Sequence, residues 1–303
     1  MARLSGRLPV ADTASGTAFL ARLLSHLTWA RRFPVLAFVF LVAVTAAGIF
    51  APAILALDPY TGTLSTALRP PVWAGGDWGF PLGTDQLGRD VLARLVVGAR
   101  LTVIIAVSGV VVSAFVGTLI GLVSGYFGGW VDAVLMRITD ATLAIPMLVL
   151  GLALATSIGP GVTNVVLVVT AVTWAFFARL IRGEVLHIRE LDYVTAAEIA
   201  GFSQMRIIVN HVLPNVVTPL LVMASLQVGN TIILASSLSF LGLGVPEPLP
   251  EWGLMLANSR DYLSFMPRLV IMPAVALGLM VLSCNLVGDW LRDRFDPELD
   301  HLR

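Results

Sequence analysis

LTVIIAVSGVVVSAFVGTLIGLVSGYFGGWV, residues 101–131, runs for 31 positions without an Asp, Glu, Lys, Arg or His. A helix needs about 20 mostly apolar residues to cross a bilayer, and a buried core helix rarely has such length without a charge. Four further runs lack Asp, Glu, Lys and Arg: 33–57, 141–178, 207–246 and 269–288, of 25, 38, 40 and 20 residues, with His211 near the start of the third of these. Within lipid the backbone has to satisfy its own hydrogen bonds, so each run predicts at least one helix. The 38-residue run predicts two, because Ser157-Ile158-Gly159-Pro160-Gly161 is a turn sequence. The fold class read from this is an all-α membrane protein with six transmembrane helices, near 33–57, 101–123, 138–157, 162–181, 216–241 and 269–289.

Composition agrees. The chain has 303 residues, 57% of them hydrophobic and 13% charged, about half the charged fraction of a soluble domain. Its 19 basic and 19 acidic residues cancel, so no field favours nucleic acid as a partner. With the N-terminus inside, thirteen arginines fall on the inner side and six on the outer. The positive-inside rule therefore puts both termini in the cytoplasm, with lipid around the spans. Splitting the 40-residue run at Gly229-Asn230 would give twelve against seven, so charge alone does not fix the span count. The resulting organisation is an N-terminal tail (1–32) whose residues 19–32 have the spacing of an interfacial helix, a first span (33–57), an outer segment (58–97), a transmembrane domain (98–289) and a C-terminal tail (290–303). The 25-residue first run exceeds the core of a cleavable signal, which favours its retention as a span.

Several chemistries lack their residues. All 19 basic residues are arginine, and a Walker loop needs a lysine on the phosphates. Histidines stand only at 26, 187, 211 and 301, too scattered for a paired-histidine metal site. No GxSxG elbow occurs. The lone Cys284 lies in an apolar run and reads as a small packing residue. The span centres carry no titratable group, which ion-coupled transporters and proton pumps generally need. A multi-span chain without energy-coupling chemistry reads as one subunit of a larger machine; an ATP-independent secondary transporter or channel is the alternative.

The largest inner loop, 182–214, places Asp192 at the start of a short helix, where an acid suits the helix dipole, and Gly201 where a left-handed C-terminal residue would end it. Ala196 and Ala197 are small enough for another backbone to approach. A solvated connector and a docking helix are both compatible with this pattern. Outside, Thr84 or Asp85 is a candidate N-cap for a helix starting near Leu87, and Asp90 with Arg94 has the spacing of a helix ion pair. Structural anchoring and contact with a solute-binding protein are the two readings of those charges. The proline-rich segment 243–268 is a candidate outer helix closing the pathway, with Trp252 either part of it or an interface anchor. Gln227 and Asn230 share a helix face; they either line a polar path or bond to a neighbouring span, and Ser225, Thr231 and Asn285 are weaker candidates of the same kind.

Beyond these local readings, Tyr193-Val194-Thr195-Ala196-Ala197 through Gly201, followed by His211-Val212-Leu213-Pro214-Asn215, resembles the EAA loop of importer-type ABC permeases. Gly83-Thr84-Asp85-Gln86-Leu87-Gly88-Arg89-Asp90 with Gly98-Ala99-Arg100, Gly125-Tyr126-Phe127-Gly128-Gly129-Trp130-Val131-Asp132, Leu238 to Gly244, Trp252-Gly253, Arg260-Asp261-Tyr262, and Asn285 to Asp289 with Asp296-Pro297 extend the likeness in order over about residues 80–297. The chain thus resembles the C-type permease subunit of dipeptide, oligopeptide and nickel ABC importers. One departure is that the motif glutamate position is Thr195, with a glutamate at Glu198.

The resemblance implies an inner-membrane permease without catalytic, cofactor or metal residues of its own. Its partners would be a homologous second permease, two ABC ATPases that bind ATP and Mg, and an extracytoplasmic solute-binding protein. Thr195, Ala196, Ala197, Glu198, Gly201, Leu213 and Pro214 would couple it to an ATPase, with Pro214 stopping the return helix before the membrane. Gln227, Asn230 and Asn285 would contribute to half of a path for di- or oligopeptides or related solutes.

Overall fold

The computed structural model describes residues 33–54 and 57–295. The readings made for the tails at 1–32 and 296–303 lie outside the described residues. Among the described residues there are nine helices of eight residues or more and no strand. They are α1 (Val35–Ile54), α2 (Val91–Phe127), α3 (Gly129–Ala144), α4 (Met147–Ile158), α5 (Val162–Arg189), α6 (Asp192–Ile199), α7 (Gln204–Phe240), α8 (Trp252–Ser259) and α9 (Arg268–Phe295). By length and apolarity α2, α5, α7 and α9 can each cross a bilayer, and α3 with α4 form a fifth crossing if the pair is taken as one broken span. With the 20-residue apolar α1, the set is consistent with six.

The helices outrun the charge-free segments. α2 starts ten residues before Leu101 and α5 continues through Arg182 to Arg189, because absence of charge marks membrane depth whereas helical backbone continues into water. The turn at 158–161 lies where it was expected, with Gly159 (φ +88°) and Gly161 (φ +150°) in conformations open to glycine. The third span differs. Instead of one helix over 138–157, the chain bends by 95° between α3 and α4. Pro146 has no N–H and forces the preceding Ile145 out of the helical region, to φ −86° and ψ 130°.

Pro214 does the reverse of what the sequence suggested. It stands inside the continuous helix α7 rather than stopping it. A π turn at Ile208–Val212 precedes it, and the Leu213 N–H donates to the Ile208 carbonyl five residues back. The widened turn relieves the crowding a proline ring meets in a regular α-helix.

The bundle is built on α2 against α5. Gly109, Ser113, Gly117, Gly121 and Gly125 recur every four residues and form one stripe along α2. A Cβ at Gly117 would lie 2.5 Å from Phe177 Cβ and from the Trp174 carbonyl, and one at Gly121 would lie 2.7 Å from the Ala178 carbonyl. The two backbones touch, which is how helices associate where the hydrophobic effect offers nothing between them. Ser113 and Thr173 add a hydroxyl pair at 2.6 Å across this seam. α7 and α9 pack similarly, with Gly229 against Asn285 and Gly288 against Leu226. At one end of the bundle lies α6; at the other lie the segment 57–90 and the α7–α9 connector, where the Gly161 N–H donates to the Gly244 carbonyl.

Candidate functional site

At its own end of the bundle, α6 is a short helix with one face held and one face free. Asp192 stands in its first turn, in keeping with the sequence reading. Its C-terminus is a complete Schellman motif: the Gly201 N–H donates to Glu198 O and the Phe202 N–H to Ala197 O, with Gly201 at φ +79°. Val194 and Ala197 point inward to a cluster with Val185, Ile188, Ile207 and Val212. Thr195, Ala196 and Glu198 point outward, beside Ile199 at 83% exposure and Met205 at 68%. The two alanines therefore divide the work, one facing the bundle and one facing solvent. Leu213 packs against the inner cluster, and Pro214 is exposed.

Polar contacts fix α6 to its neighbours. Asn215 Nδ2 donates to Tyr193 Oη at 3.1 Å and to the His211 carbonyl at 2.6 Å. The His211 ring stacks parallel to Phe202, and the Arg206 guanidinium lies 4.8 Å from the centroid of that same Phe202 ring. Nearby, Arg182 grips Asp132 with two bonds of 2.6 Å, Ser124 donates to the same carboxylate at 2.5 Å, and Arg189 donates to the Tyr126 carbonyl at the end of α2. α2, α3, α5, α6 and the start of α7 are thereby joined at this end.

The opposite end holds a buried ion cluster that local spacing did not reveal. Asp90 is the N-cap of α2, accepting from the Leu92 N–H at 2.9 Å, so neither Thr84 nor Asp85 caps that helix. Asp90 does not pair with Arg94. Arg94 instead lies 3.6 Å from Asp85 and 3.9 Å from Glu247, and donates to the Pro59 carbonyl at 3.0 Å. The carboxylate at position 90 is occupied by backbone, whereas Asp85 sits in a loop that carries it to both arginines. Arg89 bonds Asp85 at 2.7 Å and Glu247 at 2.8 Å. Burial works against the charge of Arg89, but Glu247 and Asp85 outweigh it and hold its pKa above the ordinary value.

Next to this cluster, Trp252 is 2% exposed and donates from Nε1 to the Leu95 carbonyl at 2.9 Å, which makes it an inner strut and removes the interface-anchor reading. Glu251 is the N-cap of α8. It accepts from the Gly253 and Leu254 N–H groups at 2.9 and 2.8 Å and from Ser236 Oγ of α7 at 3.4 Å. Burial pushes its carboxyl pKa up, against the lowering effect of those bonds.

Between the ends, Gln227 is buried and its Oε1 accepts from Asn230 Nδ2 at 2.8 Å. The pair shares a face as expected and is satisfied within α7. Ser225 donates to the Val222 carbonyl, and Thr231 Oγ1 is buried without a partner. Asn285 packs its amide oxygen against Gly229, within the same turn of α7, and takes no part in the Gln227–Asn230 bond; it also lines an open groove of about 700 Å³ between α7, α9, α4 and α8.

A helical bundle that crosses the membrane repeatedly, presents a braced external helix at one end and an open groove within, is a membrane permease in class. The chain matches, over residues 117–301, the family described as binding-protein-dependent transport system inner membrane component. It is 42% identical over 261 residues, 86% of each chain, to the di/tripeptide transport system permease protein DppC of Pseudomonas aeruginosa. It is 38% identical to the dipeptide transport system permease protein DppC of Alkalihalophilus pseudofirmus over 87% of this chain and 86% of that one, and 41% identical to the glutathione transport system permease protein GsiD of Pectobacterium atrosepticum over 72% of each. The chain belongs to this family of inner-membrane transport components, and is a permease subunit of an ABC importer.

Proposed function

We propose that this permease forms half of the path of a di- or oligopeptide importer and that α6 is the helix through which separate ATPases drive it. The relatives named for di/tripeptide and dipeptide transport support the substrate class. The chain hydrolyses no ATP itself; ATP and Mg belong to two partner ATPases. A homologous permease completes the conduit, a solute-binding protein delivers to the outer face, and both termini lie in the cytoplasm of a bacterium with the spans in its inner membrane.

The observation that carries this reading is the two-sidedness of α6. Val194 and Ala197 hold it to the bundle while Thr195, Ala196, Glu198 and Ile199 are free. Pressure on the free face is transmitted to α5 through the Val194 cluster and to α7 through Tyr193 and Asn215. Gly201 fixes the helix end and the Leu213-Pro214 segment leads the load into α7. The polar residues of α7 and α9 then face the solute, with Gln227 orienting the Asn230 amide and Asn285 contributing from α9.

Glu198→Arg combined with Ala196→Trp changes only the free face, so the thermal midpoint of the detergent-solubilised chain stays within a degree or two of wild type. ATP-dependent uptake by the reconstituted complex falls at least tenfold. Wild-type uptake by this variant would remove α6 from the coupling role. The strained glycine offers a second arm: Gly201→Asp weakens the Schellman turn and uncouples ATP hydrolysis from uptake.

A further inference from the structure

Arg100 is exposed on α2 at the edge of the charge-free run 101–131, and among the described residues its guanidinium has no ion pair and no hydrogen bond. Arg94, six residues earlier, is by contrast enclosed by Asp85, Glu247 and the Pro59 carbonyl. Asp58, Asp85, Asp90 and Glu247, at this end of the bundle, are all occupied. Asp58 accepts from the Tyr60 and Thr61 N–H groups, Asp90 from the Leu92 N–H, and Asp85 and Glu247 hold Arg89. A cation at the border of a span calls for a counter-charge, and none of these acids supplies it.

The depth of Arg100 follows from the helix face beside it. Ile104, Val107, Val111, Phe115, Leu119 and Val123 are exposed and succeed one another in steps of three or four. At the helical rise they form a row of about 28 Å, close to the bilayer's hydrocarbon thickness of about 30 Å. Arg100 stands one turn beyond Ile104, about 6 Å past the end of the row, where headgroup phosphates lie. Charge marks the other end of the row too: Arg182 grips Asp132, and Arg189 donates to the Tyr126 carbonyl.

The make-up of the row selects what covers it. Where α2 meets α5 it offers Gly109, Ser113, Gly117, Gly121 and Gly125, and α7 meets α9 over Gly229 and Gly288. This chain brings helices together over small residues, as helix pairs in lipid do. Val111, Phe115, Leu119 and Val123 each stand two positions after a member of the small stripe, about 200° round the helix from it. Their row has only branched and aromatic side chains, with no small residue for a helix to approach and no polar group for a solute to meet. Acyl chains suit such a surface, and a guanidinium at its head is matched to phosphate by charge and by its fork of donors. A Cβ at Gly48 would lie 2.8 Å from the Arg100 nitrogen and 3.1 Å from the Val96 carbonyl. α1 therefore runs against the α2 backbone at this level and walls one side of the arginine.

We infer that Arg100, in the notch between α1 and α2, binds the phosphate of an anionic phospholipid in the leaflet at the end opposite α6, with an acyl chain laid along the row from Ile104 towards Phe115. A headgroup of net negative charge is preferred to phosphatidylethanolamine, whose own ammonium offsets its phosphate.

The first test uses the full chain in detergent. At the same saturating concentration, dioleoyl phosphatidylglycerol raises the wild-type thermal midpoint about 3 °C further than dioleoyl phosphatidylethanolamine does. Arg100→Gln changes an exposed side chain and abolishes that difference, while Arg100→Lys keeps part of it. An undiminished difference in Arg100→Gln overturns the site. The second test places the labels in the whole complex in lipid nanodiscs, with Cys284→Ala as background. Bimane on Arg100→Cys is quenched most by lipid with a headgroup nitroxide, and bimane on Val111→Cys most by lipid with a mid-chain nitroxide. Stronger mid-chain quenching at position 100 would put the arginine too deep for a phosphate and refute the site. Labels that are quenched in the chain alone but shielded in the complex would give the row to the second permease, and shielding by added dialanine would give it to the solute; either result also ends the lipid assignment.

Discussion

Glu251 shows how one side chain sets a local geometry and makes it pH-sensitive. Its carboxylate caps α8 and reaches Ser236, so the connector is pinned to the C-terminal part of α7. Burial raises its folded pKa above the unfolded value of about 4.3. The folded state then binds the proton more tightly, so this residue's contribution favours folding most below the unfolded pKa and declines as pH rises through the folded one. In Glu251→Gln that titration is gone while one acceptor oxygen remains. The difference in thermal midpoint, wild type minus variant, is expected to decrease as pH is raised from 4 towards 8; a difference that grew with pH would show that the ionised carboxylate is favoured by its two backbone donors. Glu251 was not legible in the sequence as a cap, because it follows Pro250 in a segment whose prolines hid the helix start.

Among the elements, α2 and α5 show what the glycine stripe is for. The stripe lies within residues 101–131, but small residues do not interrupt an apolar run, so that run marks a span without marking its packing face. Gly117→Val would drive a branched side chain into Phe177 and the Trp174 carbonyl. Overpacking of this kind costs about 1–3 kcal/mol or more, so the variant is expected to melt several degrees lower in detergent and to express poorly. Gly278→Ala, in the same kind of helix but facing open space, gains about 0.5–1 kcal/mol from helix propensity and should melt no lower than wild type. The contrast is read by thermal unfolding of the two variants side by side. Span existence was legible because charge is excluded at membrane depth; span geometry was not. The breaks at Pro146 and the passage through Pro214 depend on whether a neighbouring turn can widen. Ile208–Val212 widens ahead of Pro214, while the chain ahead of Pro146 leaves the helix, and two prolines in similar apolar runs thus have opposite outcomes.

At the scale of the whole molecule, the end opposite α6 is held together by charges that lie far apart in the chain. Arg89 joins Asp85, four residues away, to Glu247 across 158 positions, and no local spacing rule can detect the second partner. The local rule found Asp90 and Arg94 instead, and the fold uses both for other bonds. This cluster ties the segment 57–90 to the α7–α9 connector, the two pieces that form the end opposite α6. The partners are not equivalent. Arg89 and Asp85 have side chains 4% and 8% exposed, whereas that of Glu247 is 41% exposed. Glu247→Gln therefore breaks a half-solvated pair and should cost at most about 1 kcal/mol. Arg89→Met takes the nearest cation from the buried Asp85 carboxylate, which keeps its backbone donors at Leu87 and position 89 but has only the more distant Arg94 as a charge partner, a loss of up to about 3–5 kcal/mol. Adding Asp85→Asn to Arg89→Met removes the stranded charge, and the double variant should recover much of the loss. Thermal midpoints of the three variants in detergent decide the matter: equal losses for Arg89→Met and Glu247→Gln, or no recovery in the double variant, would mean that this end is held by its apolar contacts, Trp252 against Leu95 foremost, and that the ion cluster only decorates it.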